Sequence, residues 1–208
     1  DGGAAPRAAD DGEPERYCTA VATSGLPARE VLWEANLCGG REAVRSSRAQ
    51  PPHDATAPVA LRRRDGSRKL DAVFAVASGR VTCVGADGRV AWSVATEAGW
   101  RATHAAGDAD APAAPFASLT LLEPAAGADP LIALLGEKRA VLLSTDGAIV
   151  ATTELPAWPV APPTVADFDG DGIADLVVPT RSGHVGLRLE PSAASLLVQI
   201  VFGVAAVG

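Results

Sequence analysis

The chain contains no methionine, few aromatic residues and only three cysteines in 208 residues. Because translation starts at methionine, a chain that begins at Asp1 predicts a processed protein or a part of a longer one. The cysteines form no C-x-x-C pair, which excludes a disulfide-dense scaffold and a zinc site of that spacing. Aromatics make up only 4% of the chain, so alanine and valine carry much of its 48% hydrophobic content.

The charge balance and the motifs exclude further classes. A net charge of −7 argues against a protein that coats nucleic acid. Residues 1–16 are acidic and rich in Gly, Ala and Pro, which indicates a flexible lead-in and not a secretory signal. No G-x-S-x-G, H-E-x-x-H or P-loop motif occurs, and His53, His104 and His184 are scattered. The sequence therefore predicts no catalytic site.

An internal repeat organises residues 17–190. Two segments, around 71–94 and 129–153, each contain three short apolar runs that are separated by turn residues. Both contain an Asp-Gly turn before the last run, at Asp87-Gly88 and Asp146-Gly147, and the interval between these turns defines the repeat. The same interval relates Trp33 to Trp92, and Trp92 to Ala151.

A Pro-led run precedes each copy, so each unit is predicted to hold about four short antiparallel strands. Radial repetition of such sheets is the plan of a β-propeller, and we predict an all-β, partial β-propeller of about three to four blades over residues 17–190. Two copies are full, the copy at 17–35 is partial, and the copy at 174–189 lacks a fourth strand. Because a propeller needs about 4–8 blades, we expect closure to involve other chains or further repeats of the same protein. A β-sandwich is the alternative.

One stretch, residues 167–175, has the composition of a metal-binding loop. Carboxylates stand at positions 1, 3, 5 and 9 (Asp167, Asp169, Asp171 and Asp175), and the backbone carbonyl of Ile173 stands at position 7. Alternate positions of a tight loop point inward, and hard oxygen donors suit Ca²⁺. An EF-hand is excluded because position 12 is Val178 and no helical pattern flanks the loop. A solvated acidic turn without metal and a magnesium site are the other interpretations.

The segment VADFDGDGIADLVV resembles the repeat of FG-GAP, integrin-α-like β-propellers. That resemblance implies a D-x-D-x-D-G-x-x-D loop that binds Ca²⁺ between two strands of one blade. It is specific over residues 163–190 and weaker over 58–153, where the loops lack the carboxylates, so only one blade is expected to bind calcium. The Gly-Ala-Pro of the family is replaced here by Val178-Pro179-Thr180.

Residues 191–208 carry no charge, and their apolar part extends from Leu196 to Gly208. We predict that this segment starts a transmembrane helix, although it is shorter than the roughly 20 residues that a span needs. A buried terminal strand or core helix is the alternative. A propeller followed by a single span resembles the FG-GAP membrane proteins of plants and algae, which implies an outward-facing, type I topology.

In an outward-facing propeller the cysteines can form a disulfide. Cys18 and Cys38 flank the first partial blade, where a disulfide between them would close a loop, and Cys83 in an apolar strand is expected to be a buried free thiol. The alternative is that all three cysteines are reduced.

The basic run Arg62, Arg63, Arg64, Arg68 and Lys69 indicates either a solvated loop or a surface for acidic ligands.

These features predict a non-enzymatic, calcium-binding propeller ectodomain of a single-pass membrane protein at the cell surface or in the secretory pathway. Its expected partners are proteins or other blades of the same propeller, with no nucleic acid. The alternative is a propeller module of a secreted enzyme that acts on polysaccharide or uses a quinone cofactor. A calcium-sensing switch is disfavoured because no helix pair is predicted.

Overall fold

The computed structural model describes residues 18–25, 29–37, 54–63, 67–101, 116–192 and 195–203. Within these ranges the chain is all-β, and no helix long and apolar enough to cross a bilayer occurs there. The strands form a two-stranded hairpin and three four-stranded antiparallel sheets. Each four-stranded sheet is an up-and-down meander of consecutive strands, as the repeat predicts.

The N-terminal hairpin consists of β1 (Thr19–Thr23) and β2 (Val31–Asn36). Sheet I consists of β3 (Val59–Arg62), β4 (Leu70–Ala75), β5 (Arg80–Val84) and β6 (Val90–Ala95). Sheet II consists of β7 (Ser118–Leu122), β8 (Leu131–Leu135), β9 (Arg139–Ser144) and β10 (Ile149–Glu154). Sheet III consists of β11 (Thr164–Ala166), β12 (Asp175–Thr180), β13 (Gly183–Ser192) and β14 (Ser195–Gly203).

Strand β14 corrects the prediction for the end of the chain. Ser195–Gly203 pairs antiparallel with β13 and supplies the fourth strand of sheet III, so these residues form a strand and not the start of a helix. Ser192 pairs with Ser195 in this ladder, and only residues 193–194 separate the two strands. When only the local sequence is considered, an uncharged segment without a turn signal indicates a membrane span. A strand that adds to an existing edge obtains its backbone partners there, so it needs only a short turn.

The sheets stack face to face, and sheet II is covered on both sides. All five residues of β8 are buried. Ile132 and Leu134 belong to a hydrophobic cluster shared with sheet I, whereas Leu131, Ala133 and Leu135 belong to a cluster shared with sheet III. Because successive side chains of a strand point to opposite faces, a strand covered on both faces is a continuous apolar run. This arrangement explains the sequence LIALL.

Two tryptophans join neighbouring sheets in the same way. Trp33 of the hairpin lies against Gly88 in the β5–β6 turn, and a Cβ on Gly88 would lie 2.8 Å from the Trp33 Cγ. Trp92 of sheet I lies likewise against Gly147 in the β9–β10 turn, and its Nε1 donates to the Thr145 carbonyl at 3.0 Å. The repeat interval therefore marks a contact between a tryptophan on one outer strand and a glycine in the next turn. One further interval along the chain stands Ala151, so this tryptophan is not repeated there.

The β1–β2 connection has a non-glycine residue with positive φ, Arg29, at the equivalent position of the repeat. Gly88 and Gly147 have φ values of 79° and 90°, and each lies beside a register shift in its hairpin. Arg29 stands one repeat interval before Gly88 and has a φ of 49°, a left-handed conformation that is costly for a side chain with a Cβ.

We therefore expect Arg29→Gly to raise the free energy of unfolding by about 0.5–1 kcal/mol, since glycine adopts this conformation without the steric cost. The midpoint of urea unfolding measures the change. Arg89→Gly is the matched control, because Arg89 follows Gly88 and does not have a positive φ. A midpoint lowered by both substitutions would contradict the interpretation.

Candidate metal centre

The acidic loop connects β11 to β12 at one end of sheet III. Carboxylate oxygens of Asp167, Asp169 and Asp175 all lie within 4.8 Å of one another. The first two residues are exposed and Asp175 is buried, with 6% of its surface accessible. The structure thus brings together three of the four aspartates that the sequence singled out.

Asp167 organises the loop backbone. Its Oδ1 accepts the amides of Gly170 at 2.8 Å and Asp171 at 3.2 Å, and its Oδ2 accepts the amide of Gly172 at 2.9 Å. Gly170 and Gly172 have φ values of 78° and 85°, which side chains rarely adopt. Alternating glycines therefore let the chain wrap around one carboxylate, so the side chains at positions 1 and 3 share a side of the loop.

Asp175 is held at the start of β12 by two backbone amides. Its Oδ2 accepts Phe168 N and its Oδ1 accepts Leu189 N, both at 3.3 Å. The first bond closes the loop onto the strand, and the second ties the loop to β13. A buried carboxylate that receives amides on both oxygens is fixed in place before any ligand arrives.

Asp171 lies outside this group of three carboxylates and faces Arg188 of β13. The Arg188 Nη2 lies 3.0 Å from Asp171 Oδ2, and its Nε lies 2.7 Å from Asp169 Oδ2. Its Nη1 also lies 3.3 Å from Glu190 Oε1. Hydrogen bonding from Arg188, followed by the Ile173 amide, lowers the pKa of Asp171. Arg188 thus supplies one positive charge to the loop.

Sequence reasoning missed Arg188, although the hairpin register contains the signal. Leu176 pairs with Leu187, so one further step places Asp175 opposite Arg188. Arg188 stands between two buried leucines of β13, Leu187 and Leu189, and is therefore the exposed residue of an alternating strand. An arginine on the strand next to an acidic loop is the observation that would have found it.

Sheet I contains a counterpart of the Asp175 site. There Asp71 takes the place of Asp175, and Arg63, which follows β3, faces it. Asp71 near the start of β4 accepts Ala86 N at 3.3 Å through Oδ1, as Asp175 accepts Leu189 N. Arg63 Nε lies 2.6 Å from the same oxygen, and a Cβ on Gly85 would lie 2.6 Å from Arg63 Nη2. Glycine at 85 therefore leaves the room that the guanidinium occupies. Arg64 lies outside the described residues.

The remaining predicted residues are placed as follows. Ile173 donates its amide to Asp171 Oδ1 at 2.8 Å, and its side chain packs against the cluster between sheets II and III. Cys18 is disulfide-bonded, whereas Cys38 lies outside the described residues. Cys83 is a buried free thiol, and burial is the main cause that raises its pKa to about 11. His184 is exposed, whereas His53 and His104 lie outside the described ranges.

Comparison with known proteins gives no family. No protein-family model matches the chain, and no curated protein matches it. A solved structure of a protein of unknown function from Bacteroides caccae is similar, with a TM-score of 0.40 and 15% sequence identity. The match covers 88% of this chain and 56% of that protein, so this chain spans little more than half of its length.

Proposed function

We propose that the chain is a calcium-stabilised, FG-GAP-like β-propeller module that serves protein–protein interaction or adhesion, and that sheets I, II and III are blades of the propeller. The observation that carries the proposal is the convergence of the Asp167, Asp169 and Asp175 carboxylates within 4.8 Å. The three consecutive four-stranded meanders, stacked face to face, support the propeller architecture.

Charge and donor type favour a divalent cation in this loop. Four aspartates share this loop with a single arginine, Arg188, which pairs with Asp169 and Asp171. The loop therefore keeps a strongly negative centre that a cation would neutralise. Carboxylates and a backbone carbonyl are hard oxygen donors, and Ca²⁺ accepts 6–8 of them in flexible geometry, whereas Mg²⁺ demands a near-ideal octahedron. Asp167, Asp169 and Asp175 would bind the ion, with Asp171 and the Ile173 carbonyl completing the set.

The disulfide-bonded Cys18 supports an extracellular or luminal setting, because disulfides persist in oxidising compartments. Calcium modules of modest affinity also suit the millimolar calcium found outside cells. Ser195–Gly203 pairs with β13, so we propose no membrane span within these residues.

Calcium should raise the melting temperature of the chain by roughly 5–10 °C when its concentration reaches about a hundred times the dissociation constant. Melting curves in CaCl₂ and in excess chelator measure this shift. Asp169→Asn should remove most of it, because the amide keeps the size of the side chain and loses its charge. Asp87→Asn, in an exposed turn of sheet I, is the matched control and should keep the full shift.

The Arg188→Gln variant tests the same site by removing its positive charge. Without calcium the variant should melt below the wild type, since the aspartates lose their counter-charge. Its affinity for calcium should rise about fivefold or more, because the repulsion of a neighbouring charge costs about 1 kcal/mol even in water. Identical melting curves in calcium and chelator for all these proteins would overturn the calcium proposal.

A further inference from the structure

The N-terminal hairpin has the register of one half of a four-stranded sheet. Ala22 of β1 pairs with Trp33 of β2, as Cys83 of β5 pairs with Trp92 of β6, and both ladders shift register directly after this pair. The repeat interval also relates the two tryptophans. Strands β1 and β2 therefore correspond to β5 and β6, the third and fourth strands of sheet I.

One edge of β1, here called the open edge, has no neighbouring strand among the described residues, where β1 pairs with β2 alone. Its counterparts are paired on both edges, since β5 lies between β4 and β6, and β9 lies between β8 and β10. Proteins commonly protect an edge strand with a charged residue or a proline. Thr19–Thr23 (TAVAT) has neither, so β1 has the composition of a central strand.

The backbone of β1 presents hydrogen-bonding groups to the open edge. The Cys18 carbonyl accepts the Leu37 amide, and the Ser24 amide donates to the Glu30 carbonyl, both at 2.8 Å, so the even-numbered residues direct these groups towards β2. Alternate residues of an antiparallel strand direct them to opposite edges. The odd-numbered residues of β1, with Val21 at the centre, therefore direct their N–H and C=O groups to the open edge.

The face of sheet I beside the open edge is only partly covered. Phe74 of β4 packs against the cluster shared with the hairpin and stays partly exposed, as does Ala72 on the same face, and Leu70 is 50% exposed. The residues of β8 at the positions of Ala72 and Phe74 are Ile132 and Leu134, which face sheet I and are fully buried. The hairpin therefore leaves an apolar part of β4 uncovered, where a strand paired with β1 would lie.

We propose that the open edge binds a β-strand of a separate protein, which pairs antiparallel with β1 and covers β4. Residues of the incoming strand opposite Ala20 and Ala22 face sheet I, as Val73 and Ala75 of β4 face sheet II, so these two alternate positions are apolar. The residue between them, opposite Val21, faces solvent. This inference names the surface and the partner of the proposed protein–protein interaction and rests on that function, but it does not depend on the calcium site.

The described strands of a second, folded copy do not fit this position. The incoming strand corresponds to β4, β8 and β12, and each of these is already paired on both edges. The segments on either side of the hairpin, residues 1–17 and 38–53, do not fit the apolar pattern either. Each contains a single residue of the types that are enriched in strands, Tyr17 in the first and Val44 in the second. A strand from another protein is therefore the occupant that the pattern favours.

The test measures binding of a fluorescently labelled peptide to the whole chain by fluorescence anisotropy. The peptide has the sequence of residues 57–77, which contains β3 and β4, because β4 pairs with the counterpart of β1 in sheet I. Binding should be saturable, with a dissociation constant below about 1 mM. A Val73→Asp peptide should bind at least about tenfold more weakly, since its charge would face sheet I. A Phe74→Asp peptide has the same charge at the adjacent, solvent-facing position and should bind within about twofold of the parent peptide.

Two proline variants of the chain test which edge is used. Val21→Pro removes an N–H at the open edge without removing a β1–β2 hydrogen bond, so it should weaken peptide binding by roughly fivefold or more. Glu34 pairs with Val21, so its amide points to the other edge of the hairpin. Glu34→Pro is therefore the matched control and should bind the peptide like Glu34→Ala, which accounts for the lost charge. Circular dichroism and melting temperature establish that each variant is folded.

Three results would overturn the proposal: a parent peptide that does not bind, Val73→Asp and Phe74→Asp peptides that bind alike, or a folded Val21→Pro chain with unchanged affinity. A chain that dimerises through β1, and becomes monomeric on Val21→Pro, would also overturn it, because a second copy would then occupy the edge. The peptide comparison requires no change in the chain, so it is decisive even if Val21→Pro does not fold. Absent peptide binding with a retained calcium shift overturns this inference alone, whereas retained binding without that shift overturns only the calcium site.

Discussion

Trp92→Ala is expected to lower the free energy of unfolding by about 3 kcal/mol, the loss typical of removing a large packed aromatic side chain. The ring packs against the cluster between sheets I and II and on the Gly147 backbone, and its Nε1 donates to the Thr145 carbonyl. Trp92→Phe keeps part of the packing, so it should lose less. Denaturant unfolding followed by circular dichroism measures both changes.

Gly147→Ala tests the other side of this contact and should cost about as much. Its φ of 90° is unfavourable for alanine, and a Cβ would lie 2.7 Å from Trp92 Cδ2. Gly127→Ala is the matched control, because Gly127 has a φ of 78° and nothing within 4 Å of a Cβ, and it should cost only about 1 kcal/mol.

A double variant with Trp92→Ala and Gly147→Ala separates the side-chain overlap from the backbone strain. In a Trp92→Ala background the overlap is gone, so Gly147→Ala should cost only the backbone term that Gly127→Ala reports. Strict additivity of the Trp92 and Gly147 substitutions would show that they do not touch in solution and would contradict the proposed contact between sheets.

Asp175→Asn is expected to destabilise the chain by about 2–3 kcal/mol even in chelator, because a buried group loses a hydrogen bond to a charged acceptor. Both carboxylate oxygens accept backbone amides, from Phe168 and Leu189, whereas an asparagine offers one oxygen and turns its NH₂ towards a second donor. The variant should also lose the response to calcium. Melting curves in chelator and in calcium measure the two effects in one experiment.

Asp169→Asn provides the contrast, since Asp169 is exposed and accepts only the Asp171 amide from the backbone. It should melt close to the wild type in chelator and differ from it in calcium. If Asp175→Asn instead melts like the wild type in chelator, the two amide bonds do not hold the loop, and the site is not preformed.

The periodic part of the fold could be predicted from the sequence. The Asp-Gly turns at 87–88 and 146–147 and the apolar runs between them depend on backbone conformation within a few residues, and each becomes a hairpin where expected. The acidic loop is equally local, since the glycines at 170 and 172 specify its path.

Features that depend on distant residues could not be predicted in this way. Strand β14 carries no strand signal that distinguishes it from a lipid-facing segment, and only the free edge of β13 makes it a strand. Arg188 is 17 residues from Asp171, and its role follows from the register between β12 and β13. Arg101 and Arg181 lie near the Trp158 ring although the three residues come from separate segments, none of them distinctive alone.

The position of sheet II has a consequence for how the chain unfolds. No hydrophobic cluster among the described residues contains side chains of both sheet I and sheet III. Energetic communication between these outer sheets therefore passes through β8 and β9, as in a one-dimensional array with nearest-neighbour coupling. A substitution that loosens only one face of sheet II would divide a single cooperative transition into two, and the half that remains folded would depend on which face was altered.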